Sequence, residues 1–243
     1  MIYANITKLP NGDYVSTEAM NTICSNILFS GAENKRILFT SNAAHDGKSY
    51  ISMRVLQNLA QRGKKVLLID ADLRKSNLVR DYGIQFGQEV HGLAHFLAGM
   101  CSLDDIVCET SIPGAYIIPI GQHVANSIPL ISNQRFGALL KAVSKYFDII
   151  LIDTPPIGCV VDSAIIAKLC DGAVFVLTYN QTTKRELADI KRQMQLSGCK
   201  ILGCIINKVS FSTISAKKYY NKSYYNHYND GYYMPTKRSK GNK

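Results

Sequence analysis

The sequence has no tryptophan, no CxxC pair and no uncharged apolar run of the length that crosses a membrane. A spanning helix needs roughly 18 or more such residues, and the best candidate, 164–177, is interrupted by Lys168 and Asp171. The N-terminal residues show no basic region followed by an apolar core, so a secretory signal is not predicted. These absences exclude an integral membrane protein and predict a cytoplasmic location.

The cysteines lack the features of a disulfide framework or a zinc site. There are seven, an odd number, and several lie in apolar runs, such as Cys204 in ILGCIIN. We interpret them as free buried thiols in a reducing compartment.

Acidic residues are scarce, with 18 Asp and Glu against 28 Lys and Arg, for a net charge of +10. Residues 216–243 hold seven basic residues against Asp230 alone, a net of +6 that leaves +4 for the first 215 residues. Seven of the 14 tyrosines lie in the same segment, where apolar periodicity stops. This composition cannot form a core, and it predicts a flexible tail rich in Tyr and Lys over 215–243.

The remaining chain, 47% hydrophobic overall, predicts one domain over 1–214 with an N-terminal helix at about 16–30, capped by Ser16. Short apolar runs alternate with helical patterns, which predicts an α/β fold: a mostly parallel sheet with helices on both faces. The predicted strands are 36–41, 65–70, 115–120, 147–153, 172–179 and 200–209, and the predicted helices are 16–29, 48–61, 93–98, 102–108, 133–145, 162–169 and 184–196.

A phosphate site is predicted where the first of these strands leads through a loop into a helix, RILFTSNAAHDGKSY. Backbone N–H groups at a helix N-terminus bind phosphate oxygens. An ammonium group, here Lys48, reaches the outer phosphates, and a hydroxyl, here Ser49, ligates Mg²⁺. Taken alone the GKS triplet is a weak signal, because the first glycine of GxxxxGK[ST] is replaced by Asn42.

Three aspartates strengthen the prediction. Asp70 and Asp72 follow one apolar strand, and Asp153 ends another. In parallel sheets, ligands bind outside the carboxyl ends of the strands, where a carboxylate can hold Mg²⁺ or accept a proton from a hydroxyl. One such aspartate could merely cap the next helix, whereas three beside a GKS loop favour a nucleotide site.

At this point the chain resembles the bacterial tyrosine kinases of capsule and exopolysaccharide assembly, relatives of the MinD/ParA ATPases. The likeness runs from about residue 16 to residue 233, and it is carried by VLLIDADLRK, GLAHFLAG, IIPIG, FDIILIDTPPIGCVVDSAIIA, DGAVFVL, ILGCIINKV and the terminal tyrosine cluster. The resemblance implies a P-loop NTPase-like domain that transfers the γ-phosphoryl group of ATP, with Mg²⁺, to tail tyrosines.

Residue roles follow from the resemblance, position by position. Lys48 would contact the phosphates, and Ser49 would bind Mg²⁺. Of Asp70 and Asp72, one would assist the attacking hydroxyl and one would aid the metal or the structure, while Asp153 would hold the metal through water. The expected nucleotide-binding set is Asp46, Gly47, Lys48, Ser49, Tyr50 and Asn207, the last by contact with adenine; the expected metal set is Ser49, Asp72 and Asp153.

Two segments depart from the family pattern. The family loop reads roughly TSxxPGEGKST, whereas Ala44, His45 and Tyr50 stand here in place of its proline, the glycine that follows the proline and its last hydroxyl residue. If position 45 requires a positive φ, histidine costs about 1 kcal/mol there. The family's Glu-x-x-Arg-x-x-Arg reads Glu18, Asn21 and Cys24, which does not support ring assembly through that helix.

The tail has more than one interpretation. Lysines interleaved with tyrosines are also typical of segments that bind nucleic acid or anionic lipid, but seven tyrosines in fifteen residues beside an ATP site favour phosphate acceptors, and no nucleic acid is expected. Each phosphotyrosine adds about −1.5 to −2 charges, so three or four would cancel the +6. The predicted acceptors are Tyr219, Tyr220, Tyr224, Tyr225, Tyr228, Tyr232 and Tyr233.

The sequence therefore predicts an ATP- and Mg²⁺-dependent protein-tyrosine autokinase that regulates capsular or exopolysaccharide synthesis and export. The resemblance implies a membrane-embedded activator or chain-length regulator, which would place the protein at the inner face of the cell membrane. Exchange of tails between subunits and a cognate tyrosine phosphatase are also expected. Two alternatives stay open: a non-enzymatic regulator of the same assembly with weakened catalysis, and a MinD/ParA-type ATPase.

Overall fold

A computed structural model describes residues 2–9 and 12–209 of the chain. The predicted boundary at 214/215 and the predicted tail lie outside these residues. The described strands are β1 (Ile2–Ile6), β2 (Arg36–Ser41), β3 (Val66–Asp70), β4 (Ile84–Phe86), β5 (Cys108–Thr110), β6 (Ala115–Ile118), β7 (Ile149–Asp153), β8 (Gly172–Thr178) and β9 (Ile201–Asn207). The helices are α1 (Tyr14–Phe29), α2 (Lys48–Gln61), α3 (Leu78–Asp81), α4 (Leu93–Leu97), α5 (Ile128–Ile131), α6 (Gln134–Val143), α7 (Asp162–Ala167) and α8 (Lys184–Leu196).

The nine strands form one sheet in the order β4-β1-β5-β6-β3-β7-β2-β8-β9. Neighbours are parallel except at β1–β4 and β5–β6. The prediction of a mostly parallel sheet is therefore confirmed. Strands β2, β3, β6, β7, β8 and β9 all end at one side of the sheet, which we call the carboxyl edge.

Helices cover both faces of the sheet, as predicted. Strands β3, β7 and β8 are buried along their whole length, which explains why their sequences are almost entirely apolar. One face packs against α1 and α2, and the other packs against α4, α6, α7 and α8. The amino ends of β2 and β8 are joined through Asp171, which accepts hydrogen bonds from the backbone N–H and the guanidinium of Arg36.

The predicted helix at 102–108 is wrong. The Asp105 carboxylate accepts hydrogen bonds from the backbone N–H (2.8 Å) and the hydroxyl of Ser102, which closes a turn. The chain then extends at Cys108 into β5, which pairs with both β1 and β6. Ser16 is not the cap of α1 either: Asp13 is the N-cap, and its carboxylate accepts the Ser16 N–H at 2.8 Å.

The seven cysteines are free thiols, as predicted. Cys24, Cys108 and Cys199 are buried, Cys101 and Cys170 are half-buried, and Cys159 and Cys204 are exposed, which contradicts the prediction of buried thiols for the last two. Cys204 is exposed because β9 is an edge strand, so its apolar sequence is covered on fewer sides than that of β8. Among the described residues, no helix combines the length and apolar character required to span a membrane.

Candidate functional site

The loop between β2 and α2 reaches the carboxyl edge and ends at Gly47, which is the N-cap of α2. Gly47 has a left-handed backbone with φ of 91°, and a side chain there would lie 2.2 Å from the amide nitrogen of Asn207. Only glycine therefore fits this position without rearrangement. The fourteen-residue helix that follows places its N-terminus and the buried Lys48 at the loop, an arrangement that favours an anion.

Hydrogen bonds made by Asp46 stabilise the conformation of this loop. Its buried carboxylate accepts hydrogen bonds from the Ala43 N–H at 2.9 Å and from the Thr178 hydroxyl at 2.8 Å. Its backbone carbonyl accepts a third hydrogen bond, 2.9 Å long, from the side-chain amide of Asn207. The carboxylate of Asp46 is thus directed into the protein. The predicted contact of this residue with a phosphate would therefore be made by its backbone.

The loop also contains the expected strained residue. His45 has φ of 65°, in the left-handed region that disfavours a residue with a Cβ atom by about 1 kcal/mol. Tyr50, the other unusual residue of the loop segment, accepts a hydrogen bond on its hydroxyl from Arg54 at 3.3 Å, and the guanidinium lies 5.9 Å from the ring centre. The Tyr50 side chain therefore packs along α2, and its predicted contact with nucleotide would fall to its backbone.

Asp70 and Asp153 end the neighbouring strands β3 and β7 and are register partners across the sheet. Both are buried. Burial, together with the negative charge of Asp153, raises the pKa of Asp70 well above its usual range, while a hydrogen bond from Ser76 acts in the opposite direction. Burial raises the pKa of Asp153 to about 6, against the opposing influence of the Lys48 charge and a hydrogen bond from Ser49. The phosphate loop and both strand ends thus meet in one electrostatically coupled site.

Asp72 lies beside this pair but is less enclosed. It is half-buried, and its Oδ1 atom accepts the backbone N–H of Lys75 at 3.0 Å. Its negative charge contributes to raising the pKa of both Asp70 and Asp153. All the predicted carboxylates therefore converge at the carboxyl edge.

The site has features that suit a magnesium ion. Mg²⁺ prefers oxygen ligands and is usually held by one or two carboxylates together with substrate phosphates. The part of the chain that the structure describes contains no group of three or more His, Cys, Asp and Glu side chains arranged to hold a metal. Asp153 nevertheless has a buried Oδ1 atom without a hydrogen-bond partner, and Ser49 lies within hydrogen-bonding reach. These donors fit an ion that takes its other ligands from phosphate and water.

Sequence reasoning missed an ion pair that supports the site. The guanidinium of Arg74 binds Asp162 through two nitrogen–oxygen contacts of 2.8 and 3.2 Å and also donates to the carbonyl of Ala125. The Ser127 hydroxyl donates to the same aspartate. Asp162 is the first residue of α7, so the pair fastens the segment after β3 to the loop after β6 and to α7. Both residues lie in motifs of the sequence, Arg74 in DLRK and Asp162 in VVDS, but no feature of the sequence indicates that they contact each other.

Together, the fold and the site define a P-loop nucleotide-binding protein with a second aspartate motif at the end of β3. The AAA domain family matches residues 34–197. The chain is 42% identical over 204 residues to the tyrosine-protein kinase CpsD of Streptococcus agalactiae, covering 84% of this chain and 88% of the relative. It is 35% identical over 202 residues to the CpsD kinase of Streptococcus pneumoniae serotype 4, covering 83% and 87%. The chain belongs to the bacterial tyrosine kinases, a family with the AAA-type nucleotide-binding fold.

Solved structures of tyrosine kinases show the same fold. The kinase domain of the Escherichia coli tyrosine kinase ETK superposes with a TM-score of 0.73 at 26% identity, covering 81% of this chain and 78% of that one. The chimerical protein CapA2B2 also gives 0.73, at 27% identity, with 79% and 84% covered. The MinD protein of Pyrococcus horikoshii, solved with Mg-ADP, shares the fold at 23% identity with a TM-score of 0.61. The predicted family, fold class and enzyme class are thereby confirmed, while the roles of individual residues stay predictions.

Proposed function

We propose that this chain is an ATP- and Mg²⁺-dependent autokinase that phosphorylates the tyrosine cluster of its own tail, residues 219–233. One observation carries the proposal. A phosphate loop bearing Lys48 and Ser49 faces two buried, register-paired carboxylates, one of which has an oxygen atom without a hydrogen-bond partner. Such a site supplies the cation, the hydroxyl and the metal-side carboxylate that phosphoryl transfer requires.

Each residue has a distinct task in this mechanism. Lys48 and the backbone N–H groups at the start of α2 hold the phosphate oxygens and stabilise the charge that develops on them. Asp72, which is half-buried and lies at the site, accepts the proton of the attacking tyrosine hydroxyl. Asp70, which is fully enclosed and bonded by Ser76, fixes the loop that carries Asp72.

The reaction balances without any further reactant. The tyrosine oxygen forms a bond to the γ-phosphorus, the bond between that phosphorus and the bridging oxygen breaks, and ADP leaves. The tyrosine proton passes to Asp72 and from there to solvent. Ser49 and Asp153 would hold Mg²⁺, which would supply positive charge to the phosphate groups during transfer. Positioning and electrostatic stabilisation supply most of the catalysis in such a mechanism.

We further propose that the kinase regulates capsular or exopolysaccharide synthesis and export. The similar proteins include the putative tyrosine-protein kinase CapB of Staphylococcus aureus and a putative tyrosine-protein kinase in the cps region of Klebsiella pneumoniae. A membrane-embedded activator would recruit the chain to the inner face of the membrane, subunits would exchange tails, and a tyrosine phosphatase would reset them. The activator is what the family resemblance of the sequence implies.

The proposal is tested by incubating the purified full chain with labelled ATP and Mg²⁺ and mapping the modified residues. We expect label on the tail tyrosines, and we expect Lys48→Met to reduce it at least about 100-fold because it removes charge stabilisation at the transferred group. Lys141→Met, which changes an exposed lysine of α6, is the matched control and should label normally. Unlabelled wild-type protein that also fails to bind Mg-ATP would instead identify the chain as a non-enzymatic regulator.

A further inference from the structure

Helix α8 carries basic side chains on its outer surface. Arg185 and Arg192 lie seven residues apart, which is two helical turns or about 10.5 Å. Helical periodicity places them on the side opposite the buried Ile190 and Met194. Both arginines are exposed, and so is every residue from 183 to 189. The amino half of α8 therefore presents its whole circumference to the surroundings of the described chain.

The charge of this helix is concentrated and only partly balanced. Lys184 and Lys191 flank the arginines over the same two turns, and both are exposed. Of the two acidic residues, Glu186 caps the helix by accepting the N–H and the hydroxyl of Thr183 at 2.7 Å each, and Asp189 is exposed. Four basic residues against two acidic ones give α8 a net charge of +2, half of the +4 carried by the first 215 residues. We call the four basic residues, Lys184, Arg185, Lys191 and Arg192, the α8 stripe.

An apolar groove of about 470 Å³ lies beside the stripe, between α7 and α8. Its lining includes Val161, Ile165 and Leu196, together with the exposed Lys168. Val161 is 50% exposed and Leu196 is 80% exposed. Since Leu196 follows Arg192 by four residues, the two side chains are neighbours on one side of the helix. Exposed apolar and exposed basic side chains are thus adjacent on this surface.

This combination suits a lipid surface better than a nucleic acid. Basic side chains near a membrane attract anionic headgroups, and apolar side chains enter the boundary between headgroups and acyl chains. Single-stranded nucleic acid binds by stacking its bases on aromatic rings, and none of the described residues that line the groove is aromatic. Duplex DNA has no acyl layer that Val161 and Leu196 could enter.

We propose that the α8 stripe and the adjoining α7–α8 groove form a contact surface for a membrane that contains anionic phospholipid. The stripe binds the lipid phosphate groups, while Val161 and Leu196 enter the headgroup boundary. The chain then binds the membrane directly, in addition to any activator that recruits it. Binding to vesicles requires neither ATP nor phosphoryl transfer, so this surface is testable independently of the kinase activity.

The charge of the surface is tested by sedimenting the full chain with phosphatidylcholine vesicles that contain or lack phosphatidylglycerol. The tail has a net charge of +6 and also attracts anionic lipid, so every variant keeps the tail and the differences between variants report on α8. We expect Arg185→Glu combined with Arg192→Glu to lower the partition coefficient for the anionic vesicles at least about tenfold, because two attractive charges become repulsive.

The matched control is Lys8→Glu combined with Arg80→Glu. It makes the same change in net charge at exposed positions after β1 and in α3, at the other end of the sheet, and should lower the partition coefficient less than about threefold. An equal loss in the control would mean that net charge alone governs binding, which would overturn the assignment. Equal binding of wild type to vesicles without phosphatidylglycerol would also overturn it.

The apolar part of the surface has its own matched pair. Leu196 is 80% exposed, and Phe29, at the end of α1 on the other face of the sheet, is 83% exposed. Leu196→Ser should lower the partition coefficient at least about threefold because it removes an apolar group from the headgroup boundary, whereas Phe29→Ser should leave it unchanged. Equal effects of the two substitutions would refute insertion at the groove.

Nucleic acid is the competing ligand for the α8 stripe. A DNA duplex is therefore measured against the anionic vesicles at equal phosphate concentration, with wild type and with the doubly substituted arginine variant. We expect wild type to bind the vesicles more tightly. Tighter binding to the duplex, lost in the arginine variant, would assign the stripe to nucleic acid and overturn the membrane assignment.

Discussion

The two halves of the sheet differ in construction and in what they bring to the site. From β3 to β9 all neighbouring strands are parallel, and β3, β7 and β8 are buried along their whole length. From β4 to β6 the strands have three to five residues, and two of the three pairings are antiparallel. The first half carries the phosphate loop and the paired carboxylates, and the second carries neither.

This difference separates two requirements of a kinase. Phosphoryl transfer needs charges fixed within a fraction of an ångström, which a buried parallel sheet provides through its register. Recognition of an acceptor needs a surface that can differ from one relative to another, which short edge strands and loops provide. We therefore expect substitutions in the half of the sheet from β3 to β9, the parallel half, to affect the rate of phosphoryl transfer. Substitutions in the half from β4 to β6, the mixed half, should affect acceptor binding and local stability.

The largest effect is expected from Asp153→Asn. Removing the proposed metal-side carboxylate should lower the transfer rate at least about 100-fold, with little response to added Mg²⁺. The apo protein should be no less stable, because the change replaces a buried carboxylate that has a partnerless oxygen atom with a neutral amide. Transfer kinetics across a Mg²⁺ titration and urea unfolding measure the two parts. Asp189→Asn, at an exposed position of α8, is the control; a rate above about a tenth of wild type would contradict the assignment.

Gly92→Ala should have an intermediate effect, confined to the mixed half. A Cβ atom there would lie 2.2 Å from the Gly121 nitrogen and 2.4 Å from the Pro119 oxygen, so backbone must move and unfolding should become about 1–3 kcal/mol easier. ADP affinity should be kept, because the residues that must move, Pro119 and Gly121, belong neither to the phosphate loop nor to the paired carboxylates. Gly87→Ala meets no atom within 4 Å and should be nearly neutral in denaturant unfolding. Loss of ADP affinity in Gly92→Ala would show that the two halves are not separable.

His45→Gly should have the smallest effect. Relief of the left-handed strain should raise the free energy of unfolding by at most about 1 kcal/mol, as measured in urea. Asn180→Gly is the comparison, because Asn180 has φ of 57° and asparagine tolerates this region better than histidine does. A destabilised His45→Gly variant would mean that contacts of the imidazole outweigh the strain.

The same division between the halves explains what could be predicted from sequence. Strands β2, β3, β7 and β8 are five to seven residues long, and each contains a run of three or more apolar residues, so the pattern found them. Strands β4 and β5, at three residues each, are too short to show a period of two, and the predicted helix at 102–108 overlaps β5 only at Cys108. The motif aspartates were found because each follows an apolar strand.

Contacts between distant residues could not be predicted in this way. The amide of Asn207 binds the carbonyl of Asp46 across 161 positions of sequence, and Arg74 binds Asp162 across 88. Such pairs depend on the three-dimensional order of the strands, and no local spacing records them.

The hydrogen bond between Asn207 and Asp46 has a mechanical consequence. Asn207 is the last residue of β9, and its amide also packs over Gly47, the residue that starts α2. The carboxyl end of the edge strand β9 is therefore bonded directly to the loop that begins α2, so a displacement of either one is transmitted to the other through a single side chain.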